Sequence, residues 1–257
     1  MTRRLAFLPL VLVATLSLVV GACSPTPVAP ALTDPKEIVT KGVTSLTDVK
    51  SFEFTGTFTG TVSAPGLGSF DLSTVKMAGA VDVPNKSAKF SFDAPTVLGT
   101  KIEAIVVGGT AYYKLSGALA TFLGGTSEKY TAVAVPTASG DPIAAATDVT
   151  KLVAQLQAGL ALLPSPLTKS ADEKCGDADC YHVSTSLGAA QLQAFGLTSA
   201  ADGDLKVDIW TRKADYRPTK FAVALTSTQL GSFGATIDIR YDVGVSVAAP
   251  PADQIAP

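Results

Sequence analysis

The chain has 257 residues, and its 20 basic and 22 acidic side chains give a formal charge of −2. Charged residues make up 16% of the chain and hydrophobic residues 47%, a balance that excludes a disordered protein. The lack of a basic excess excludes a typical nucleic-acid-binding protein. Three cysteines and one histidine are too few for a disulfide-dense miniprotein or a histidine-based metal centre.

The N-terminus has the features of an export signal. Two arginines precede an apolar run over residues 5–20, and two small residues follow that run. Because Cys23 comes directly after them, the segment resembles the lipobox of bacterial lipoproteins. That resemblance implies that residues 1–22 are a lipoprotein signal peptide and that the Cys23 thiol receives a diacylglyceryl group. An uncleaved anchor helix is the alternative.

Cleavage at this point would leave residues 23–33 as a lipidated cysteine with a proline-rich tether, and residues 34–257 as a single domain. The loss of two arginines would leave 18 basic against 22 acidic residues, a charge of −4. With Cys23 lipidated, Cys175 and Cys180 remain as a pair on either side of a four-residue Gly/Asp-containing loop. In an exported protein this pattern favours a disulfide, with a zinc site or free thiols as alternatives.

A helix over residues 35–47 is the first predicted element. Asp34 is placed as its N-cap, Pro35 at its first position, and Glu37 where a capping box would need it. The hydrophobic period then changes from 3.6 to 2, which predicts antiparallel strands. These strands lie near residues 52–62, 75–83, 88–92, 102–106, 111–115 and 130–135.

The second half of the chain returns to the same pattern after a helical segment. A second helix is predicted from Asp148 to Leu163, where prolines end it. A hairpin around Cys175 and Cys180 and a short helix over residues 187–195 follow. Further strands are predicted near residues 205–210, 221–225 and 233–243. Together these elements predict one α+β domain, with one long antiparallel sheet and two or three helices covering one of its faces.

No catalytic signature stands out. The sequence has no Gly-x-Ser-x-Gly nucleophile elbow, P-loop or dinucleotide fingerprint. Any Ser-His-Asp site would have to use His182, the only histidine, whose position on a predicted strand favours an ordinary strand residue. Paired carboxylates are set by space and not by sequence spacing, so they stay open. We therefore expect that the protein is not an enzyme and that it has no catalytic residue, metal or cofactor.

The apolar positions of the strands share one parity, so alternation places each set on a single face of the sheet. That face predicts either an ordinary core or the lining of an apolar cavity, because only two good helices and little bulky apolar side-chain volume are available to fill it. The candidate lipid-cavity residues are Phe54, Phe58, Val75, Met77, Phe90, Phe92, Ile102, Val106, Val207, Ile209, Phe221, Val223, Ile237 and Ile239.

The order of these features resembles the LppX/LprG-type lipoproteins of mycobacteria and their relatives, within the LolA-like superfamily. The resemblance is carried by Cys23 in its lipobox, the capped helix, the Ser51–Phe54 strand, the Cys175–Val183 segment, Leu205–Arg212 with the later Arg217-Pro218, and the tail Asp242–Ile255. It implies a curved antiparallel β-sheet, a LolA-like half-barrel, with helices covering the concave face and an apolar cavity for acyl chains.

The expected function is therefore that of an exported lipoprotein, anchored by lipid to the outer face of the bacterial cytoplasmic membrane. It would bind the acyl chains of envelope lipids or lipoglycans, such as palmitate chains, and carry or present them. The expected partners are such a lipid, the membrane and a membrane transporter, without nucleic acid. The alternative is a membrane-anchored interaction or scaffold module with a solid core and no ligand.

Overall fold

The N-terminal helix begins as its sequence predicts. In the computed structural model, which describes residues 31–64, 68–118, 120, 128–135, 167–194 and 202–257, helix α1 spans Pro35–Ser45. A 3-10 turn continues it over Leu46–Asp48. Asp34 is the N-cap, since its Oδ1 accepts a 2.9 Å hydrogen bond from the N–H of Lys36.

In the described part of the chain, thirteen strands form one antiparallel sheet. Their turns are short, as expected where strand pairs are neighbours in the chain. The strands are β1 Ser51–Ala64, β2 Gly68–Asp71, β3 Lys76–Asp82, β4 Ser87–Ala94, β5 Thr100–Val107, β6 Thr110–Ser116, β7 Thr131–Ala134, β8 Thr168–Lys169, β9 Glu173–Cys175, β10 Ala178–Leu187, β11 Asp204–Arg212, β12 Pro218–Ser227 and β13 Gly231–Tyr241.

Two meanders meet in the middle of this sheet. The strand order is β7-β6-β5-β4-β3-β1-β13-β12-β11-β10-β8, while β2 pairs with β1 and β9 pairs with β10. The first and last strands of the domain are therefore neighbours, paired from Phe52 opposite Tyr241 to Val62 opposite Gly231. The open, curved and mainly antiparallel sheet, with few helices among the described residues, confirms the predicted α+β fold class.

Gly60 accommodates an irregularity in β1, the longest of the described strands. Its φ of +87° lies in the left-handed region that favours glycine, and a Cβ at this position would overlap the carbonyl oxygen of Ser232 on β13. Just beyond Gly60, β1 pairs with β2 on one side and with the start of β13 on the other. A side chain at this position would therefore force the two central strands apart.

The helix predicted over residues 187–195 is present as α2, Ala189–Ala194. The helix predicted over residues 148–163 lies outside the described residues, as does the whole predicted signal peptide with Cys23. The short strands β2 and β8 have no counterpart in the sequence prediction. Of the helices in the described part of the chain, none has the length and apolarity needed to span a bilayer.

Candidate functional site

The register places the candidate cavity residues on one face of the sheet, which we call the apolar face. One cross-strand row runs from Ile102 through Phe92 and Met77 to Gly56, and continues through Ile237 and Phe221 to Ile209. The others belong to neighbouring rows of the same parity, and Val75 directly precedes β3 in that parity. In this structure Val75 and Val106 are buried and the other twelve candidates are half-buried.

Two glycines on the apolar face leave room for large side chains of the neighbouring strand. A Cβ at Gly79 would overlap the ring of Phe54, and a Cβ at Gly56 would lie 2.8 Å from Cε of Met77. Phe54 and Met77 therefore lie over glycine backbone on the neighbouring strand. Larger residues at positions 56 and 79 would push both side chains outward, so these glycines preserve space above the sheet. The sequence prediction missed them, although a glycine that interrupts an alternating strand is a readable signal.

Aromatic rings cover the centre of the apolar face. The rings of Phe54 and Phe90 are 6.4 Å apart, and those of Phe58 and Phe92 meet edge to face at 6.3 Å. Both separations lie within the range in which aromatic pairs attract each other. These four side chains therefore form two ring pairs, each of which joins β1 to β4 across β3.

Both described helices pack on the apolar face, each over a different part. In α2, Leu192 is fully buried against Leu187 and Leu225, with Leu205 and Phe233 beside them. In α1, Val43 packs with Leu46, Phe52 and Val83. Leu187, Leu192 and Leu225 of the α2 cluster and Val43 of α1 are buried, whereas Phe52, Val83, Leu205 and Phe233 beside them and twelve of the candidate residues keep partial exposure.

A pocket of about 500 Å³ lies on the opposite face, which we call the polar face. Ten of its residues form two adjacent cross-strand rows over β13, β1, β3, β4 and β5, and Tyr130 adds to them. Only Phe54 and Phe90 of the candidate cavity residues also contribute to its lining. The rows are Arg240–Glu53–Ala80–Lys89–Ile105 and Asp238–Thr55–Ala78–Ser91–Glu103.

A hydrogen bond to Glu103 positions the side chain of Tyr130 in this pocket. Its hydroxyl donates a 2.7 Å hydrogen bond to Oε2 of Glu103. Burial, and secondly this hydrogen bond, raise the pKa of Tyr130 to about 12. Hydrogen bonds from Lys101 and then from Tyr130 lower the pKa of Glu103. Sequence analysis missed this pair, because 27 residues separate its members.

His182 lies between two carboxylates. Its Nδ1 is 2.8 Å from Oε1 of Glu173, and its Nε2 is 2.8 Å from Oδ1 of Asp208. The ring stacks on Trp210 at 4.5 Å, and the Trp210 N–H donates to the same Glu173 oxygen. Since both ring nitrogens face carboxylates, neither is placed to activate a hydroxyl nucleophile. The contacts describe a structural cross-link between β9, β10 and β11.

Cys175 and Cys180 form a disulfide, with their Cα atoms 5.9 Å apart. The bond closes the hairpin of β9 and β10, in which Cys175 pairs with Ala178 and Cys180 with Glu173. Their thiols are thus not available as zinc ligands in this structure. Within the described ranges no group of three or more His, Cys, Asp or Glu side chains is arranged to hold a metal.

The fold with its curved antiparallel sheet is similar to that of a solved bacterial lipoprotein. The structure of LprF from Mycobacterium bovis is similar to this chain with a TM-score of 0.52 and 14% identity, covering 84% of this chain and 96% of LprF. The Mycobacterium tuberculosis lipoprotein LppX is similar with a TM-score of 0.47 and 13% identity, covering 83% and 98% of the two chains.

The sequence matches no protein-family model, and no curated protein is similar to it in sequence. The similarity to LprF covers nearly the whole of that protein, and at this identity it shows a shared fold. The predicted resemblance to LppX/LprG-type lipoproteins is confirmed at that level. The roles of Cys23 and of the apolar face remain predictions.

Proposed function

We propose that this protein is a cell-envelope lipoprotein that binds the acyl chains of a lipid or lipoglycan on the apolar face and carries or presents them. The observation that carries the proposal is that twelve apolar candidates on one face of the sheet are half-buried, on the same face on which both described helices pack. Soluble proteins seldom leave a large contiguous apolar surface without a partner. An acyl chain gains about 0.8 kcal/mol for each methylene that leaves water.

In this proposal the protein acts by binding and not by catalysis. Shape and apolar burial are sufficient to hold an acyl chain, and the sheet supplies them without a reactive group. Cys23 carries the lipid anchor and the proline-rich tether lets the domain work close to the outer face of the cytoplasmic membrane. The bound lipid, the membrane and a transporter that delivers or receives the lipid are the proposed partners.

Bulky substitutions separate a lipid site from a solid core. We expect Val223→Trp and Val207→Trp to remove co-purified lipid while changing the melting temperature little, because both valines are half-buried. Val106→Trp should destabilise by about 1–3 kcal/mol through overpacking, because Val106 is only 8% exposed. Ala222→Trp is the matched control, since Ala222 lies on β12 next to Val223 but on the polar face.

The measurement is native mass spectrometry with lipid extraction, alongside thermal unfolding of each variant. Retention of lipid by Ala222→Trp and its loss in the Val207 and Val223 variants would support the proposal. If the wild type carries no acyl chain and the Val207 and Val223 variants melt as low as Val106→Trp, the apolar face is a solid core. The protein would then be a membrane-anchored interaction or scaffold module without a lipid ligand, which is the alternative hypothesis.

A further inference from the structure

We propose that the pocket on the polar face is a second binding site, specific for a neutral oligosaccharide. It lies on the side of the sheet opposite to the proposed lipid site, with which it shares only Phe54 and Phe90. Its two rows cross five adjacent strands, so at about 4.8 Å between strands the pocket is a trough about 19 Å long. That shape fits an extended ligand better than a compact one.

The floor and the walls of the trough differ in chemistry. Ala78 and Ala80 on β3 form a low centre, and longer side chains stand on both sides of it, among them Lys89 on β4. At one end Arg240 donates a 2.7 Å hydrogen bond to Glu53, and Asp238 lies in the next row. The other end has Ile105, Glu103 and Tyr130. An apolar floor with planar polar groups at its rim suits a sugar chain, which presents both C–H surfaces and hydroxyl groups.

The charges of the trough do not favour an anionic ligand. Three carboxylates, from Glu53, Glu103 and Asp238, face two cations, from Lys89 and Arg240. Arg240 already pairs with Glu53, and Glu103 pairs with Lys101 at 2.8 Å, which leaves Asp238 and Lys89 as charges of opposite sign. With these pairs the lining has no net positive charge to attract a phosphate-rich or nucleic-acid ligand, whereas a neutral polyhydroxylated ligand would find donors and acceptors of both kinds.

The backbone of the trough disfavours a peptide ligand. Each of the five strands is hydrogen-bonded to a neighbour on both of its sides, so the floor has no free edge to which a peptide could add as a strand. A peptide here would have to satisfy its main-chain groups with side chains alone. Sugar hydroxyl groups are satisfied by carboxylate, guanidinium and hydroxyl side chains of the kind that line this site.

The Tyr130 wall is built in advance by the C-terminal tail. The Tyr130 N–H donates to the carbonyl of Gln254, and the N–H of Ala256 donates to the carbonyl of Tyr130, both at 2.8 Å. Together with the Glu103 hydrogen bond, these contacts hold the ring before any ligand arrives. A preformed wall lowers the entropic cost of binding.

Saturation-transfer NMR on the mature protein tests this inference with maltotriose, cellotriose and mannotriose as probes. We expect transfer to at least one of them, its loss in Ala78→Trp, and an affinity about tenfold weaker in Lys89→Ala, which removes one charged rim donor. Val223→Trp, on the apolar face, is the control and should bind the sugar unchanged. Melting temperatures report whether each variant is folded.

The proposal is overturned if no trisaccharide receives transfer, or if folded Ala78→Trp and Lys89→Ala bind as well as the wild type. Binding of a neutral Gly/Ser hexapeptide in place of the sugars would also overturn it, and would make the trough a peptide site. Because lipid content is measured separately and responds to Val223→Trp, failure of the sugar site and failure of the lipid site are distinguishable.

Discussion

Asp202 shows how a single side chain holds a turn of this sheet. Its carboxylate accepts hydrogen bonds from the hydroxyls of Ser227 and Thr228 and from the Thr228 N–H, at the turn between β12 and β13. These bonds, with the hydroxyl donors first, lower the pKa of Asp202 from 3.8 to about 2. Hydrogen bonds that favour the charged form link the order of this turn to pH.

We expect the Asp202 contribution to stability to be complete above about pH 4 and to decline as the pH falls towards 2. Because the pKa of Asp202 is lower in the folded chain than in the unfolded chain, the unfolded chain takes up the proton first as the pH falls, and folding is then disfavoured. Between pH 4 and pH 2, the melting temperature of Asp202→Asn should fall less than that of the wild type. Asp253→Asn is the control, because Asp253 is exposed. An NMR titration midpoint of the Asp202 carboxyl near 4 would contradict this expectation.

Among the elements, the hairpin of β9 and β10 is held by more than its disulfide. The Glu173 carboxylate on β9 binds both His182 and Trp210, which ties the hairpin to β11. The loop that the disulfide closes is short, with a sequence separation of 5. A short loop removes little entropy from the unfolded chain, so the non-covalent contacts carry much of the hairpin's stability.

We therefore expect Cys175→Ala/Cys180→Ala to lower the free energy of unfolding by about 2 kcal/mol or less. Urea denaturation with and without reductant provides the matched comparison, because the wild type under reductant retains the same side-chain volume. Peptide mapping under non-reducing conditions should recover the linked pair. Full alkylation of both thiols in native, metal-free wild type would contradict the bond.

Whole-molecule behaviour depends on the anchor that we propose at Cys23. Cys23→Ala should leave the protein as an uncleaved precursor or release it without lipid, because the thiol is the proposed site of acylation. Detergent-phase partitioning and intact mass measure this, and Cys180→Ala is the control because it should keep the lipid mass. Normal partitioning of Cys23→Ala with an unchanged lipid mass would show that the anchor lies elsewhere.

At the same scale, the fold and the apolar face were predictable from local pattern. Alternation of apolar and polar residues defined the strands and placed the fourteen candidates on one parity, and the capping pattern located α1 within three residues of its observed end. These properties repeat every two or 3.6 residues, so a short window of sequence contains them. The very short strands β2 and β8 do not fill such a window and were missed.

Only the tertiary structure determines which strands, and therefore which side chains, are neighbours. The pairing of β1 with β13 joins residues about as far apart as the domain allows, and it creates the apolar face from two separate meanders. The trough on the polar face likewise combines five strands with a tyrosine that the C-terminal tail holds in place. Alternation determines which way a side chain points, but it carries no information about which distant strand is its neighbour. That choice depends on the combined packing of the whole sheet, and it is what turns predictable strands into binding surfaces.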